Sequence, residues 1–259
     1  MTNNDGTQQV LYERVGEHVA IVRLNRPEAR NAVNAAMAAN IHRLVNEIEA
    51  DASIRVAIFS GTGTMFCAGS DLKEVAGGRD IRIPRLGGFA GFTQTERRKP
   101  WIAAVNGSAL GGGTEIMLAC DLAVVAEDAQ LSLPEAKRGL IALGGGAVLL
   151  ARRMPMAIAT EMLITGEPLS ARRAYELGLV NRLAPRDAVL AQALKLAQEV
   201  AQNSPNSIRE SLRLSRATVE LPLNEMWRQN QKTMDLLYYA ADFKEGPAAF
   251  LEKRVPKWE

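Results

Sequence analysis

Two glutamates, Glu115 and Glu135, stand in segments able to bring a carboxylate beside free backbone N–H groups: Ala109-Leu-Gly-Gly-Gly-Thr-Glu115 and Leu133-Pro-Glu-Ala-Lys-Arg-Gly139. Two carboxylates can divide acid and base work, one releasing a proton while the other takes one. A third segment, Phe66-Cys-Ala-Gly-Ser-Asp-Leu-Lys73, follows a strand and turns sharply at Ala68-Gly69. A helix beginning in Gly111-Gly112-Gly113 leaves its first N–H groups without intrahelical partners, and glycine lets a carbonyl oxygen come close to the backbone. If the N–H of Ser70 points at the same spot as that of Gly112, the two form an oxyanion hole, in which one donor is worth roughly 2.7–4 kcal/mol in a transition state. The chemistry expected is at a polarised carbonyl, through an enolate or a tetrahedral oxyanion. Taken singly, Glu115 can also be a favourable first-turn acid and Glu135 a surface-turn residue, and Glu135 is the poorer signal of the two. The joint pattern is what points to a site.

Positioning those groups requires strands that end at the turns. His18 to Leu24 reads as a strand, broken by the turn residues 25–31. A helix follows, capped by Asn34, with Met37, Ile41, Leu44, Val45 and Ile48 on one buried face. Ile54 to Phe59 reads as a buried strand. The order then recurs: strand Trp101 to Val105, a glycine-bearing turn, a short helix from about Gly112 to Ala119, and strand Leu122 to Val125. Residues 77–91 hold five glycines, one proline and three arginines (Arg79, Arg82 and Arg85), so they read as a loop that shapes a pocket or merely carries soluble charge. Beyond about Ala147 helical patterns dominate, apart from a strand at 179–183, with breaks at Pro155, Pro168, Gly178, Pro205 and Pro222. The expected arrangement is an α/β core over residues 1–200 and a helical region over 201–259. Trp227, Met234 and Tyr238 form an apolar stripe in that region, either internal core or a subunit interface.

Composition bounds the function. With 47% hydrophobic and 23% charged residues, the 259-residue chain has the balance of an ordinary globular protein. The 31 basic and 29 acidic side chains leave a net charge of +2, so no strong field favours nucleic acid or an anionic membrane. The first residues resemble neither a signal nor a transit peptide, and no apolar run reaches the roughly 18 residues needed to span a bilayer, so a cytoplasmic protein is expected. Cys67 and Cys120 form no CxxC pair, which excludes a disulfide framework and common zinc spacings; both are expected to be buried.

Other site readings fare worse. Gly61-Thr-Gly63 follows a strand, but Phe66 stands where the third glycine of a dinucleotide fingerprint belongs. His18 and His42 are the only histidines, and Ser108 lacks the G-x-S-x-G elbow of a serine hydrolase. Gly144-Gly145-Gly146 is a tight turn before a helix or a pocket wall. Arg97-Arg98-Lys99 reads as a solvated turn, with a contact to a ligand phosphate as the alternative.

On these segments, together with Asn25-Arg-Pro-Glu-Ala-Arg-Asn31-Ala32 and Glu245-Gly-Pro-Ala-Ala-Phe-Leu-Glu-Lys253, nearly the whole chain resembles the crotonase superfamily of enoyl-CoA hydratases and isomerases. The resemblance implies a spiral of ββα units with C-terminal helices that assemble homotrimers, often paired into hexamers. It implies that the N–H groups of Ser70 and Gly112 hold the thioester oxygen of an acyl-CoA. Ala68, Asp71, Leu72 and Lys73 would lie along the CoA, while Phe250 and Lys253 would reach CoA held mainly by a neighbouring subunit. Hydratases of the family resemble this chain in having both glutamates. Glu115 would then deprotonate water for attack on C3 of a 2-enoyl-CoA and Glu135 would protonate C2, with no metal and no cofactor beyond the CoA of the substrate. The alternatives are isomerisation of a 3-enoyl-CoA to a 2-enoyl-CoA, or acyl-CoA binding with little catalysis. The chain departs from the hydratase pattern after the second glutamate, where Leu143 replaces a small residue, implying a narrowed acyl pocket or a shifted water. Residues 87–93 and the ending before Trp258 resemble the crotonobetainyl-CoA hydratases, also called carnitinyl-CoA dehydratases.

Overall fold

The computed structural model describes residues 8–77 and 87–258. Strands β1 (Val10–Val15) and β2 (Val19–Leu24) pair antiparallel and lead into helix α1 (Ala35–Ala50). Asn34 caps α1, its side chain accepting the N–H of Met37 at 2.8 Å, and the five apolar residues expected on one face are all buried. Strand β3 (Val56–Gly61) starts two residues later than its apolar run, because Ile54 closes a turn onto the carbonyl of Asp51. Helix α2 (Leu72–Ala76) follows.

The same rhythm repeats through β4 (Trp101–Val105), β5 (Ala109–Leu110) and α3 (Gly112–Ala119), then β6 (Leu122–Ala126), β7 (Gln130–Ser132) and α4 (Gly146–Arg153). Helix α5 (Met156–Thr165), strand β8 (Leu169–Ser170), helix α6 (Ala171–Glu176) and strand β9 (Arg182–Ala184) come next. The apolar pair Leu179 and Val180 is buried, but the strand there begins only at Arg182, where the ladder with Val124 of β6 starts. The dipeptide β8 carries no apolar run of its own and exists through pairing with β7.

The main sheet has the order β1-β2-β3-β4-β6-β9, parallel from β2 onward. Strands β3 and β4 are buried along their whole length, the pattern of parallel strands covered on both faces. Helix α7 (Val189–Ala201) packs against β2, β3, β4 and β6. A second sheet of short strands, β5-β7-β8, is accompanied by two isolated parallel bridges, Val33 to Ser70 and Cys67 to Ala109. These bridges decide where the turn at 66–71 lies. Successive ββα turns therefore stack their short second strands side by side, as the expected spiral requires.

Within the cluster at 97–99 only Arg98 is exposed, as a solvated turn would have it; Arg97 and Lys99 are committed to the fold. Arg97 is buried, lies over the Phe92 ring at 4.1 Å, and donates to the carbonyls of Thr95 at 2.9 Å and Ala119 at 2.7 Å, as well as to Phe92. Lys99 donates to Ile48 and, at 2.6 Å, to Asp51. Both cations thus satisfy carbonyls at helix C-termini, of α3 and α1, where the backbone dipole favours positive charge.

The helical region comprises α8 (Pro205–Ala217), α9 (Leu223–Tyr238) and α10 (Ala241–Leu251). Helix α8 packs on α9, and Ser204 donates to the buried Asp242 at 2.5 Å to hold α10. Trp227, Met234 and Tyr238 are 66%, 58% and 56% exposed, so the stripe on α9 is not internal core of this chain. Among the described residues no helix is long and apolar enough to cross a membrane.

Candidate active site

The turn at 66–71 is held from both sides. Ala68 donates to the carbonyl of Arg30 at 3.0 Å, Val33 to that of Gly69 at 2.8 Å, and Asp71 to that of Val33 at 2.9 Å. The buried Asn31 side chain anchors the approach, donating to Thr62 and Met65 at 2.9 and 2.8 Å while accepting the N–H of Arg26 at 2.9 Å. The Gly69 N–H is directed to the Cys67 sulfur at 3.4 Å. Among the described residues, the Ser70 N–H between these bonds has no acceptor. Its neighbours are all committed.

Gly111 ends β5 with its N–H on Ser132 at 2.8 Å and adopts φ of +54°, a backbone conformation that glycine reaches without strain. That twist starts α3 abruptly, so the Gly112 N–H, in the first turn, has no intrahelical acceptor. The two turns touch: a Cβ on Gly69 would lie 3.0 Å from the nitrogen of Gly112. Two unpartnered N–H groups thus belong to adjoining turns, an arrangement suited to one carbonyl oxygen.

Glu115 is one turn into α3 and only 4% exposed. Its Oε1 accepts the N–H of Gly146 at the start of α4, at 2.9 Å. The turn before α4 is both helix start and site wall, because a Cβ on Gly144 would overlap Oε2 of Glu115. Burial pushes the Glu115 carboxyl up to about 7; the Gly146 N–H opposes that shift and the Glu135 charge adds to it. Glu135 lies in a short 3-10 helix, Pro134–Arg138. Its Oε1 would be 2.9 Å from a Cβ on Gly111, so the carboxylate rests against the turn that starts α3. Burial raises its pKa as well, and among the described residues its Oε2 is buried without a hydrogen-bond partner. Both carboxylates and both free amides therefore gather about the first turn of α3.

The other residues expected along the ligand divide into two groups. Asp71 is buried and committed to the fold: it caps α2 by accepting the Lys73 N–H at 3.0 Å and pairs with Arg26 at 2.6 Å, and that hydrogen bond holds its carboxyl below the usual range. Ala68 is half-buried, while Leu72 and Lys73 are exposed beside it. Leu143 is 76% exposed, so its side chain does not occupy buried space beside Glu115; Gly144, the next residue, has that position. Phe250 and Lys253 are exposed at the end of α10 and beyond it. Of the loop at 77–91, residues 78–86, with Arg79, Arg82 and Arg85, lie outside the described residues.

Sequence reasoning left out Phe89. A Cβ on Gly112 would overlap its ring, and one on Gly144 would meet its Cβ at 2.6 Å, so Phe89 lies between both glycines of the site. The available signal was an aromatic residue set among Gly87, Gly88 and Gly91. Among the described residues no cluster of three His, Cys, Asp or Glu side chains could hold a metal.

Residues 14–259 match the family described as enoyl-CoA hydratase/isomerase. The chain is 36% identical over 265 residues to the enoyl-CoA hydratase EchA19 of Mycobacterium tuberculosis, covering 100% of this chain and 99% of that protein. It is 38% identical over 244 residues to the carnitinyl-CoA dehydratase of Proteus mirabilis, covering 91% and 93%. The crystal structure of an enoyl-CoA hydratase from Mycobacterium tuberculosis superposes with a TM-score of 0.93 at 41% identity, over 97% of this chain and 98% of that one.

Proposed function

The chain belongs to the enoyl-CoA hydratase/isomerase family, and from that premise we propose that it adds or removes water across C2–C3 of a 2-enoyl-CoA, using Glu115 and Glu135. The observation that carries this reading is the gathering of two carboxylates of raised pKa around the first turn of α3, beside two unpartnered amides.

In this mechanism the N–H groups of Ser70 and Gly112 hold the thioester oxygen. Their stabilisation grows as the oxygen gains charge in the enolate, which lowers the barrier rather than merely tightening binding. Two carboxylates sharing a buried site cannot both ionise cheaply, so near neutral pH the pair keeps one proton between them. Burial raises Glu115 the more strongly of the two, and the reactive form of the pair is the one with the charge on Glu115, whose carboxylate accepts the Gly146 N–H, and the proton on Glu135, whose Oε2 lacks a partner among the described residues. Glu115 then removes a proton from water as its oxygen attacks C3, and Glu135 delivers its proton to C2. Dehydration runs the same steps backwards. CoA is part of the substrate, and the steps require no metal or redox group.

Ala68, half-buried, and the exposed Leu72 and Lys73 flank Ser70 in the chain and are assigned to the CoA moiety; Asp71 pairs with Arg26 between them. The exposed stripe on α9 and the exposed Phe250 and Lys253 support assembly of a homotrimer or hexamer through residues 201–259, with a neighbour's CoA at the end of α10. A cytoplasmic location fits an acyl-CoA substrate. Sedimentation of Trp227→Asp should show smaller particles than the unsubstituted chain; unchanged mass would remove the α9 stripe from the assembly.

The function is tested with crotonyl-CoA in oxygen-labelled water. The absorbance of the conjugated thioester should fall and the product should carry the label. Conversion of a 3-enoyl-CoA without label, and no hydration, would select the isomerase reading. Binding without any conversion would select an acyl-CoA-binding protein.

A further inference from the structure

The acyl group that this site accepts is decided by what lies beyond C3, and this step rests on the hydratase reading. With the thioester oxygen on the Gly112 N–H and C3 beside Glu115, the reacting carbons run along one face of α3, since residues three apart share a face. The Phe89 ring lies against the Cα of Gly112, and its Cβ is beside Gly144, which in turn abuts the Glu115 carboxylate. The side chain thus stretches from the oxyanion position to the base. We propose that Phe89 is the specificity-determining residue of the acyl pocket, a fixed aromatic wall that admits short or compact enoyl groups and obstructs long straight chains.

The wall is fixed because its turn is determined from several sides. Gly87, Gly88, Ala90 and Gly91 all have positive φ, and Ala90 at +58° is an unusual conformation for a residue with a β-carbon. Such a conformation persists only where the surroundings impose it. Here Gln94 donates to the carbonyl of Gly87 at 2.8 Å, Gly91 to Gly88 at 3.0 Å and Thr93 to Phe89 at 3.2 Å, while His42 Nδ1 of α1 lies 3.1 Å from the carbonyl of Gly91. Phe92, three residues on, is fully buried against Phe59 and Trp101 at ring separations of 5.0 Å. Phe89 itself is half-buried.

The test measures calorimetric affinity for butyryl-CoA and octanoyl-CoA in the unsubstituted protein, Phe89→Ala and Phe89→Leu, which needs no turnover. The unsubstituted protein should prefer butyryl-CoA by about 10-fold or more, and Phe89→Ala should narrow that preference by about 10-fold, chiefly by tightening octanoyl-CoA, the range a few methylenes in an apolar pocket can supply. Phe89→Leu should fall between, and it decides the matter if the alanine variant does not fold. Equal or tighter binding of octanoyl-CoA by the unsubstituted protein, or a preference that neither variant moves by more than about twofold, would overturn the wall. Crotonyl-CoA hydration is followed in parallel. A shifted preference without any hydration would remove the hydratase reading and leave the wall standing, whereas hydration with an unmoved preference would remove the wall alone.

Discussion

The Glu115 carboxylate accepts the N–H of Gly146 at 2.9 Å, so the first turn of α4 holds a side chain that projects from the first turn of α3. The contact is possible because Gly144, two residues earlier, has no side chain to occupy the same space. Adding one methyl group there should therefore move the carboxylate. Gly144→Ala is expected to keep its fold by circular dichroism and to lose on the order of 100-fold in kcat for crotonyl-CoA, as small misplacements of reacting groups do. Near-normal turnover would mean that the position of Glu115 is not critical.

Gly69 is the corresponding position on the oxyanion side. Its φ is +93° and a Cβ there would come within 3.0 Å of the Gly112 nitrogen. Gly69→Ala should turn or block one of the two amides, with a loss of about 100-fold in kcat/KM, the scale of one oxyanion donor. The loss should appear in kcat more than in KM, because the donor acts most strongly on the charged intermediate.

Protonation links the site to stability. Glu115 rises from 4.5 to about 7 in the folded chain, mainly through burial. A carboxyl whose pKa is raised by folding contributes stability that is complete below the unfolded value and is lost as pH climbs through the folded one. The unsubstituted protein should thus become less stable between about pH 4.5 and 7 from this group. Glu115→Gln removes the buried charge, so its Tm should exceed that of the unsubstituted protein by several degrees near pH 8, with the gap closing near pH 5. Activity should nearly vanish in the same variant. A Tm difference that is constant across this pH range would contradict the buried-charge account.

The two carboxylates should also titrate as a pair. Glu135 is one of the causes that push Glu115 upward. In Glu135→Gln that charge is gone, so the Glu115 carboxyl, followed by infrared spectroscopy or carbon NMR, should titrate at lower pH than in the unsubstituted protein. In the unsubstituted protein the acid limb of kcat/KM should fall near pH 7, where the base loses its charge. A Glu115 titration unmoved by the substitution would mean that the pair is not coupled.

Much of this architecture is local and therefore legible along the chain. The α1 face, its Asn34 cap, strand β4 and the start of α3 at Gly112 follow from periodicity, capping and glycine placement, which depend on near neighbours. The pairing of Glu115 and Glu135 as site candidates came from residue type beside a glycine turn. What local pattern does not carry is contact between distant segments. Arg97 and Lys99 look like a solvated turn until the C-termini of α3 and α1 arrive to accept their N–H groups. The tripeptide Gly144-Gly145-Gly146 has no stated partner in one dimension; it becomes the seat of Glu115 only when α4 docks beside α3.

By itself, then, the chain order specified an alternating α/β scaffold, a helix opening on glycine and two acids able to do proton chemistry. Tertiary structure decided that the Ser70 N–H, among the described residues, is left without an acceptor, that Glu115 is buried enough to titrate near neutrality, and that Phe89 stands across the reacting face. The reason is physical: desolvation and steric exclusion are properties of what surrounds a group, and those surroundings come from segments brought together only by folding.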